Sequence, residues 1–432
     1  MSELRVQSGA ALRGRARVPG DKSISHRALL LGSIAAGKSH VGGFLPSADC
    51  LATLDAVRAL GVEVQEHTST ELTVHGVGLH GLKEPGDVVD CRRSGTTMRL
   101  LAGLLAGQPF LSVLSGSAQL RRRPMARITE PLRGMGATVL GRDSGRLPPL
   151  VIQGGELRGT DYTLPVASAQ VKSALTLAAL YASGTTRLRV PGPARDHTER
   201  MLAAMGAGIT TVEGMVEIEP GCSLQPVDVT VPGDFSSAAY LLVAASLLPG
   251  SELTVEAVGV NPTRTGLLDL LRAMGADLAL HQGCVVGGEP VAQIAVRSAE
   301  LSGVEVGGDL VVRAIDEFPI LAVAATQARG ETVVRDAAEL RVKETDRIAT
   351  TVRELRRLGA AIEPRPDGFV VHGPTALAGA LVDSHGDHRL GMALAVAGLL
   401  AQGETVVHNV GCIADSFPGF AHTLASLGAR VS

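Results

Sequence analysis

Apolar positions along the chain fall into two alternating patterns. The first is amphipathic, as in Arg264–Met274 and Lys343–Leu358, and ends in the phrase Leu/Val-x-x-Met/Leu-Gly-Ala/Val-x-apolar before a β-like run. The glycines of this phrase are Gly61, Gly136, Gly206, Gly275, Gly359 and Gly428, spaced by 75, 70, 69, 84 and 69 residues. Each predicts a helix C-terminus, since glycine takes the left-handed conformation that closes a helix. The second pattern is Ala/Leu-rich and apolar on most sides: Ser25–Gly37, Gly95–Gly107, Ser168–Gly184, Phe235–Gly250, Phe318–Gly330 and Arg389–Gly403. A helix apolar on most sides must be buried on most sides. Runs such as Glu252-Leu-Thr-Val-Glu-Ala and Glu331-Thr-Val-Val-Arg supply strands. The expected unit is β-α-β-α-β-β, repeated six times, with the apolar helix inward.

The phrase Val-Pro-Gly-Asp stands at Val18–Asp21 and again at Val231–Asp234, 213 residues later. Ordinary turns would explain Pro-Gly. The alternative is that the two copies are paired strands where the chain crosses between halves, making Asp21 and Asp234 neighbours. Two domains are then expected, 21–233 and 234–432 plus 1–20, each of three repeats. A length of 432 residues agrees, being more than one core usually organises.

Composition removes several classes of function. Forty Lys+Arg against 43 Asp+Glu leave a net charge of −3, so no overall field draws in nucleic acid or an anionic membrane. Ten aromatic residues and no Trp argue against base-stacking platforms. The five cysteines lie at least 41 residues apart, which excludes CxxC ribbons and dense disulfides and fits a reducing cytoplasm. The first twenty residues hold no apolar signal core, and the longest apolar runs are too short to cross a bilayer. No His/Cys/carboxylate set has zinc spacing, so no metal is expected. Gly32-Ser-Ile-Ala-Ala-Gly-Lys-Ser39 matches a P-loop pattern, but a helix precedes it and a strand follows, the reverse of a P-loop, with Gly37 reading as a helix cap.

Any anion site must therefore be local, and polar residues gather at the starts of the apolar helices. These starts read Asp21-Lys-Ser-Ile-Ser-His-Arg27, Arg93-Ser-Gly-Thr-Thr-Met-Arg99, Ser168-Ala-Gln-Val-Lys-Ser173, Asp234-Phe-Ser-Ser237, Asp316-Glu-Phe-Pro319 and Asp387-His-Arg389. Ser, Thr and Asp there are also ordinary N-caps. Arg and Lys oppose the helix dipole, and their recurrence points to a compensating anionic ligand. Two more clusters are Arg121-Arg-Arg-Pro-Met125 and Arg341-Val-Lys-Glu-Thr-Asp-Arg347. On a helix, Lys343 and Arg347 would share a face at i, i+4 with Glu344 beside them.

These motifs, together with Arg195-Asp-His-Thr-Glu199, make the sequence closely resemble the 5-enolpyruvylshikimate-3-phosphate (EPSP) synthase family over essentially its whole length. The resemblance implies an α/β fold of two similar domains, each with three β-α-β-α-β-β repeats around buried parallel helices, and an active site in the cleft between domains. It implies transfer of the enolpyruvyl group of phosphoenolpyruvate to the 5-hydroxyl of shikimate 3-phosphate through a tetrahedral intermediate, with no cofactor. Carried over by position, Lys22, Gly95, Arg123, Gln170, Arg347 and Arg389 would bind phosphoenolpyruvate. Lys22, Ser23, Arg27, Ser168, Gln170, Arg195, Asp316 and Lys343 would bind shikimate 3-phosphate. Asp316 resembles the catalytic base, and Glu344 with Lys22 the proton donor. Gly95 implies sensitivity to glyphosate. The expected partners are these two small molecules alone, with the protein a cytoplasmic monomer.

Several positions differ from the family pattern: Arg92-Arg93 replace Gly-Asn, Gly116-Ser-Ala-Gln-Leu120 replaces Gly-Asp-x-Ser-Leu, and Ala194 and Asp415 replace Ser and Lys. The sister transferases acting on UDP-N-acetylglucosamine carry a cysteine in the loop before Arg-Pro, which Gly116–Pro124 lacks. A non-catalytic polyanion-binding repeat protein would leave Asp316 and Glu344 without a role.

Overall fold

The computed structural model describes residues 2–9 and 11–432. Among them are six four-stranded sheets of one design. In the repeat that starts at Val89, strand Val89–Asp90 runs parallel to Leu111–Ser115, which pairs antiparallel with Leu147–Gln153, itself antiparallel to Thr138–Gly141. A parallel pair cannot be joined by a tight turn. The apolar helix, here Gly95–Ala106, is the crossover that joins it. Three sheets are contiguous in sequence; the other three take in a distant strand. Val229–Thr230 joins Ala36–Gly42, Arg13–Arg17 joins Glu252–Gly259, and Glu3–Gln7 lies between Glu404–His408 and Arg430–Val431.

The chain divides into two compact units, Met1–Pro19 with Pro232–Cys284 and Pro290–Ser432, and Gly20–Val231 with Val285–Glu289. Each has its own apolar core. The divisions at Pro19/Gly20 and Val231/Pro232 fall inside the two Val-Pro-Gly-Asp copies. The copies are not the strand pair expected: both lie outside the named strands, where proline lacks the N–H a ladder needs. One hydrogen bond joins them, from the Asp234 amide to the Pro19 carbonyl (2.8 Å).

The six apolar segments form the helices Lys22–Ser33, Gly95–Ala106, Ala169–Ala179, Phe235–Leu247, Phe318–Gln327 and His388–Leu400, buried almost throughout. Two approach so closely that a Cβ on Gly103 would lie 2.0 Å from the Ala174 carbonyl oxygen. The first helix ends at Ser33, with Ile34 as its C-cap, so Gly37 is not the cap expected of it but lies in strand Ala36–Gly42. The P-loop-like Gly32–Ser39 therefore runs from helix end into strand. The glycines of the amphipathic phrase all adopt positive φ. At each, the glycine amide bonds the carbonyl three residues back and the next amide bonds the carbonyl five back, as in Gly61 to Arg58 and Val62 to Val57. This is the Schellman closure, which the phrase encodes with its apolar residue after glycine.

Candidate active site

In the unit Gly20–Val231, the helix starts carry the polar groups. Asp21 caps the first inward helix by accepting from the Ile24 amide (3.0 Å). Lys22 follows at a position where the dipole disfavours a cation. Its Nζ lies 2.6 Å from Oδ2 of Asp49, in the first turn of the helix Ala48–Ala59. Arg27 is buried and donates to Thr198 Oγ1 (2.6 Å), Ser173 Oγ (2.7 Å) and the Ser23 carbonyl (2.9 Å). Burial pulls its pKa down to about 10, against support from Glu199, so it stays a cation at neutral pH. Ser168 caps Ala169–Ala179, and Gln170 donates to Thr96 Oγ1 (2.9 Å). Arg195 stands near enough to Arg27 to oppose its charge. The next turn of that third inward helix holds a buried pair, Lys172 with Glu199 at 2.5 Å. Ser94 caps Gly95–Ala106, and a Cβ on Gly95 would lie 2.7 Å from Arg99 Nη1 and 2.9 Å from Arg123 Nη1. Glycine here is what lets the Arg123 guanidinium lie against the helix start.

A buried relay ties these starts together: Ser94 Oγ to Thr97 Oγ1, Thr97 to Thr53 Oγ1, and Thr53 to His26 Nδ1, each 2.7 Å. Burial lowers His26 from 6.5 to about 3, so it is folded as the neutral ring. Unfolding therefore takes up a proton between those values, and stability falls as pH drops from about 6.5 toward 3, by up to about 1.4 kcal/mol per pH unit. His26→Gln is expected to lose less stability at pH 5 than at pH 7, measured by denaturant unfolding. Equal losses at both would refute this.

In the other unit, the structure brings Asp316, Glu344, Arg347 and Arg389 into one cluster. Arg347 is buried and donates Nε to Asp387 (2.8 Å), pairs through Nη2 with Glu344 (2.7 Å) and through Nη1 with Asp316 (3.4 Å). Arg389 Nη2 reaches the other oxygen of Asp316 (3.3 Å), and its Nη1 lies 3.9 Å from Glu317. Burial is the largest single influence and opposes both charges, but the surrounding groups together outweigh it, led by Asp387 and Glu344 for Arg347 and by Asp316 for Arg389, and both pKa values rise above the ordinary one. Lys343 is near Asp316 and Glu339, yet burial lowers its pKa. The expected i, i+4 helix face for Lys343 and Arg347 is not formed. The helix is Arg347–Arg357, and Lys343 and Glu344 precede it. Asp346 sets that start by accepting from the Ala349 amide (3.0 Å). Glu344 still meets Arg347, at i, i+3.

The structure thus gathers the sequence-picked residues into two sets: Lys22, Ser23, Arg27, Gly95, Arg123, Ser168, Gln170 and Arg195 in one unit, and Asp316, Lys343, Glu344, Arg347 and Arg389 in the other. The cations at the apolar-helix starts do not all await an anionic ligand, because Lys22 faces Asp49, Lys172 faces Glu199 and Arg389 faces Asp316. A family model described as EPSP synthase (3-phosphoshikimate 1-carboxyvinyltransferase) matches residues 6–424. The chain belongs to the EPSP synthase family. It is 54% identical over 430 residues to a 3-phosphoshikimate 1-carboxyvinyltransferase of Citrifermentans bemidjiense, covering 100% of each chain. To that of Desulforamulus reducens it is 51% identical over 422 residues, covering 98% of each. An EPSP synthase from Acinetobacter baumannii superposes with a TM-score of 0.90 at 43% identity, covering 100% of this chain and 99% of that one. The enolpyruvyl transferase NikO from Streptomyces tendae, at 19% identity and TM-score 0.82, shares the fold.

Arg92 and Arg93, expected to stand in place of Gly-Asn, are accommodated by local contacts. Arg92 adopts φ 50° and pairs with Asp55 (2.5 Å), and Arg93 donates to Gln119 Oε1 (3.0 Å). Ala194 keeps a role through its carbonyl, which accepts from Lys172 (3.3 Å). Asp415 ends the short 3-10 helix Val410–Asp415. Four residues hold the site's cations without having been assigned a role: Asp49, outside every motif, on Lys22, Ser173 and Thr198 on Arg27, and Asp387 on Arg347. Asp387 was visible as an N-cap; Asp49 had no signal in its spacing. Among the described residues no group of three His, Cys, Asp or Glu side chains could hold a metal ion, and no helix is long and apolar enough to cross a membrane.

Proposed function

We propose that the chain transfers the enolpyruvyl group of phosphoenolpyruvate to the 5-hydroxyl of shikimate 3-phosphate, giving 5-enolpyruvylshikimate 3-phosphate and phosphate in the shikimate pathway, on the way to aromatic amino acids. The observation that carries the chemistry is the pair Asp316 and Glu344, both bound to Arg347, with Arg389 on the far side of Asp316. An addition-elimination needs a base for the attacking hydroxyl, an acid for the methylene carbon, and cations for phosphate and carboxylate. In the addition, Asp316 takes the 5-hydroxyl proton as the oxygen bonds to C2 of phosphoenolpyruvate, and Glu344 or Lys22 delivers a proton to C3. In the elimination C3 returns a proton to Glu344 or Lys22, the C2–C3 double bond re-forms, and phosphate departs as its C2–O bond breaks.

Lys22, Arg123, Arg347 and Arg389, with Gly95 and Gln170, would hold phosphoenolpyruvate. Lys22, Ser23, Arg27, Ser168, Gln170, Arg195, Asp316 and Lys343 would hold shikimate 3-phosphate. The reaction requires both sets to act on one pair of substrates, and two substrates that repel each other need this density of cations. Asp49, Asp316 and Asp387 keep those cations matched before substrate arrives. This reading uses no cofactor and places the protein in the cytoplasm as a monomer.

Phosphate release from phosphoenolpyruvate is expected only when shikimate 3-phosphate is added, with glyphosate inhibiting competitively against phosphoenolpyruvate. Release without an acceptor, or with UDP-N-acetylglucosamine in its place, would overturn the reading.

A further inference from the structure

Glu354 has no part in the chemistry above, yet its carboxylate is fully buried, which is costly unless every oxygen is engaged. It stands two turns along the helix that begins with Arg347. Its Oε1 lies 2.9 Å from His385 Nε2; its Oε2 accepts from the Asp383 amide (3.1 Å) and lies 3.4 Å from Arg357 Nη1. His385 belongs to the loop Ser384–Gly386 that leads into the last inward helix, and holds φ 52°, a conformation uncommon for a residue with a side chain. Around it the loop is bonded at each step. The His385 amide donates to Asp383 Oδ1 (2.6 Å), and Asn409 Nδ2 grips both oxygens of Asp383 (2.9 Å each). Ser384 Oγ donates to the Asn409 carbonyl (2.9 Å), the Gly386 amide donates to Ser384 Oγ (3.1 Å), and the Asp387 amide donates to the Ser384 carbonyl (2.9 Å).

Asp387 then closes the circuit. It caps the helix by accepting from the Arg389 amide (2.9 Å) and grips Arg347 Nε (2.8 Å). A ring of hydrogen bonds thus runs from Arg347 along its own helix to Glu354, across to His385, through the loop to Asp387, and back to Arg347. Arg347 and Arg389 stand on different elements, and beside Asp316, which reaches both, this ring connects them.

We propose that Glu354 and His385 are positioning residues for phosphoenolpyruvate, acting through Arg347 and Arg389 by locking the loop that carries Asp387. The proposal rests on the reading that those two arginines hold phosphoenolpyruvate. A small misplacement of binding groups costs up to a hundredfold, so a loosened ring is a kinetic loss before it is a folding one.

The test is steady-state kinetics of Glu354→Ala, Glu354→Gln and His385→Asn, each beside a thermal melt. Glutamine keeps an acceptor for the Asp383 amide and a partner for His385, and asparagine tolerates positive φ. In Glu354→Ala the KM for phosphoenolpyruvate is expected to rise about tenfold or more while that for shikimate 3-phosphate stays within about twofold. Glu354→Gln is expected to recover most of that loss, and His385→Asn to raise the phosphoenolpyruvate KM about threefold. A lowered melting temperature with both KM values unchanged, or both rising equally, would overturn the proposal. Arg347→Lys separates the underlying reading: if it leaves the phosphoenolpyruvate KM unchanged, the assignment of Arg347 fails. If it raises that KM while Glu354→Ala and His385→Asn do not, only the positioning role fails.

Discussion

Asp316→Asn is expected to lower kcat by about a thousandfold while leaving the KM for phosphoenolpyruvate unchanged or lower. Asparagine matches the shape of aspartate and keeps one oxygen to accept from Arg347 or Arg389, which lie 3.4 and 3.3 Å from its two carboxylate oxygens. What it loses is the ability to take the 5-hydroxyl proton. The sign of the KM effect follows from charge. With one carboxylate gone, the two buried guanidiniums are less neutralised, so an anionic substrate meets a more positive site. A merely structural carboxylate would give the opposite outcome, a weakened site with kcat preserved. Steady-state phosphate release with each substrate varied in turn checks both; a kcat within tenfold of the parent would refute the assignment of the base.

The division between what the sequence carried and what it did not is physical. The six Schellman glycines and six apolar helices repeat because each unit solves the same burial problem, so period and patterning announced the repeat number and the inward helices. The repeated Val-Pro-Gly-Asp placed residues 1–20 with the C-terminal half, but which strands they would pair with was not legible. Nothing local in Glu3–Gln7 says that it will lie between Glu404–His408 and Arg430–Val431, since pairing over that separation depends on how whole repeats pack. The same contrast holds in the site. Lys22, Arg27 and Arg389 stood out because cations at helix starts work against the dipole, and Arg347 through its charged cluster with Lys343 and Glu344. Asp49, Ser173 and Thr198, which hold Lys22 and Arg27, are ordinary residues on ordinary helices until the fold sets them beside a cation. At Lys343 and Glu344 the helical period misled, because Asp346 competes for the role of cap and wins. The contact with Glu344 survived because i, i+3 across a helix start brings the same groups together.

Arg347 is where folding and binding meet most strongly, and Arg347→Met separates them. Arg347 is only 2% exposed, and its guanidinium is shared by Asp387, Glu344 and Asp316. Methionine fills the stem but leaves Asp387, wholly buried, with Thr345 Oγ1 at 3.2 Å and the Arg389 amide as donors and no cation. Stranding one half of a buried ion pair costs about 3–5 kcal/mol. Since the two units need not unfold together, the loss is best read from amide hydrogen exchange of the helix Arg347–Arg357. Adding Asp387→Asn removes the stranded charge and keeps an acceptor for the Arg389 amide. The double variant is therefore expected to regain much of the lost protection. It should regain no turnover, because a neutral pair offers nothing to a phosphate or carboxylate. Recovery of protection together with activity would mean that Arg347 serves only to balance charge, and its place in binding phosphoenolpyruvate would be lost.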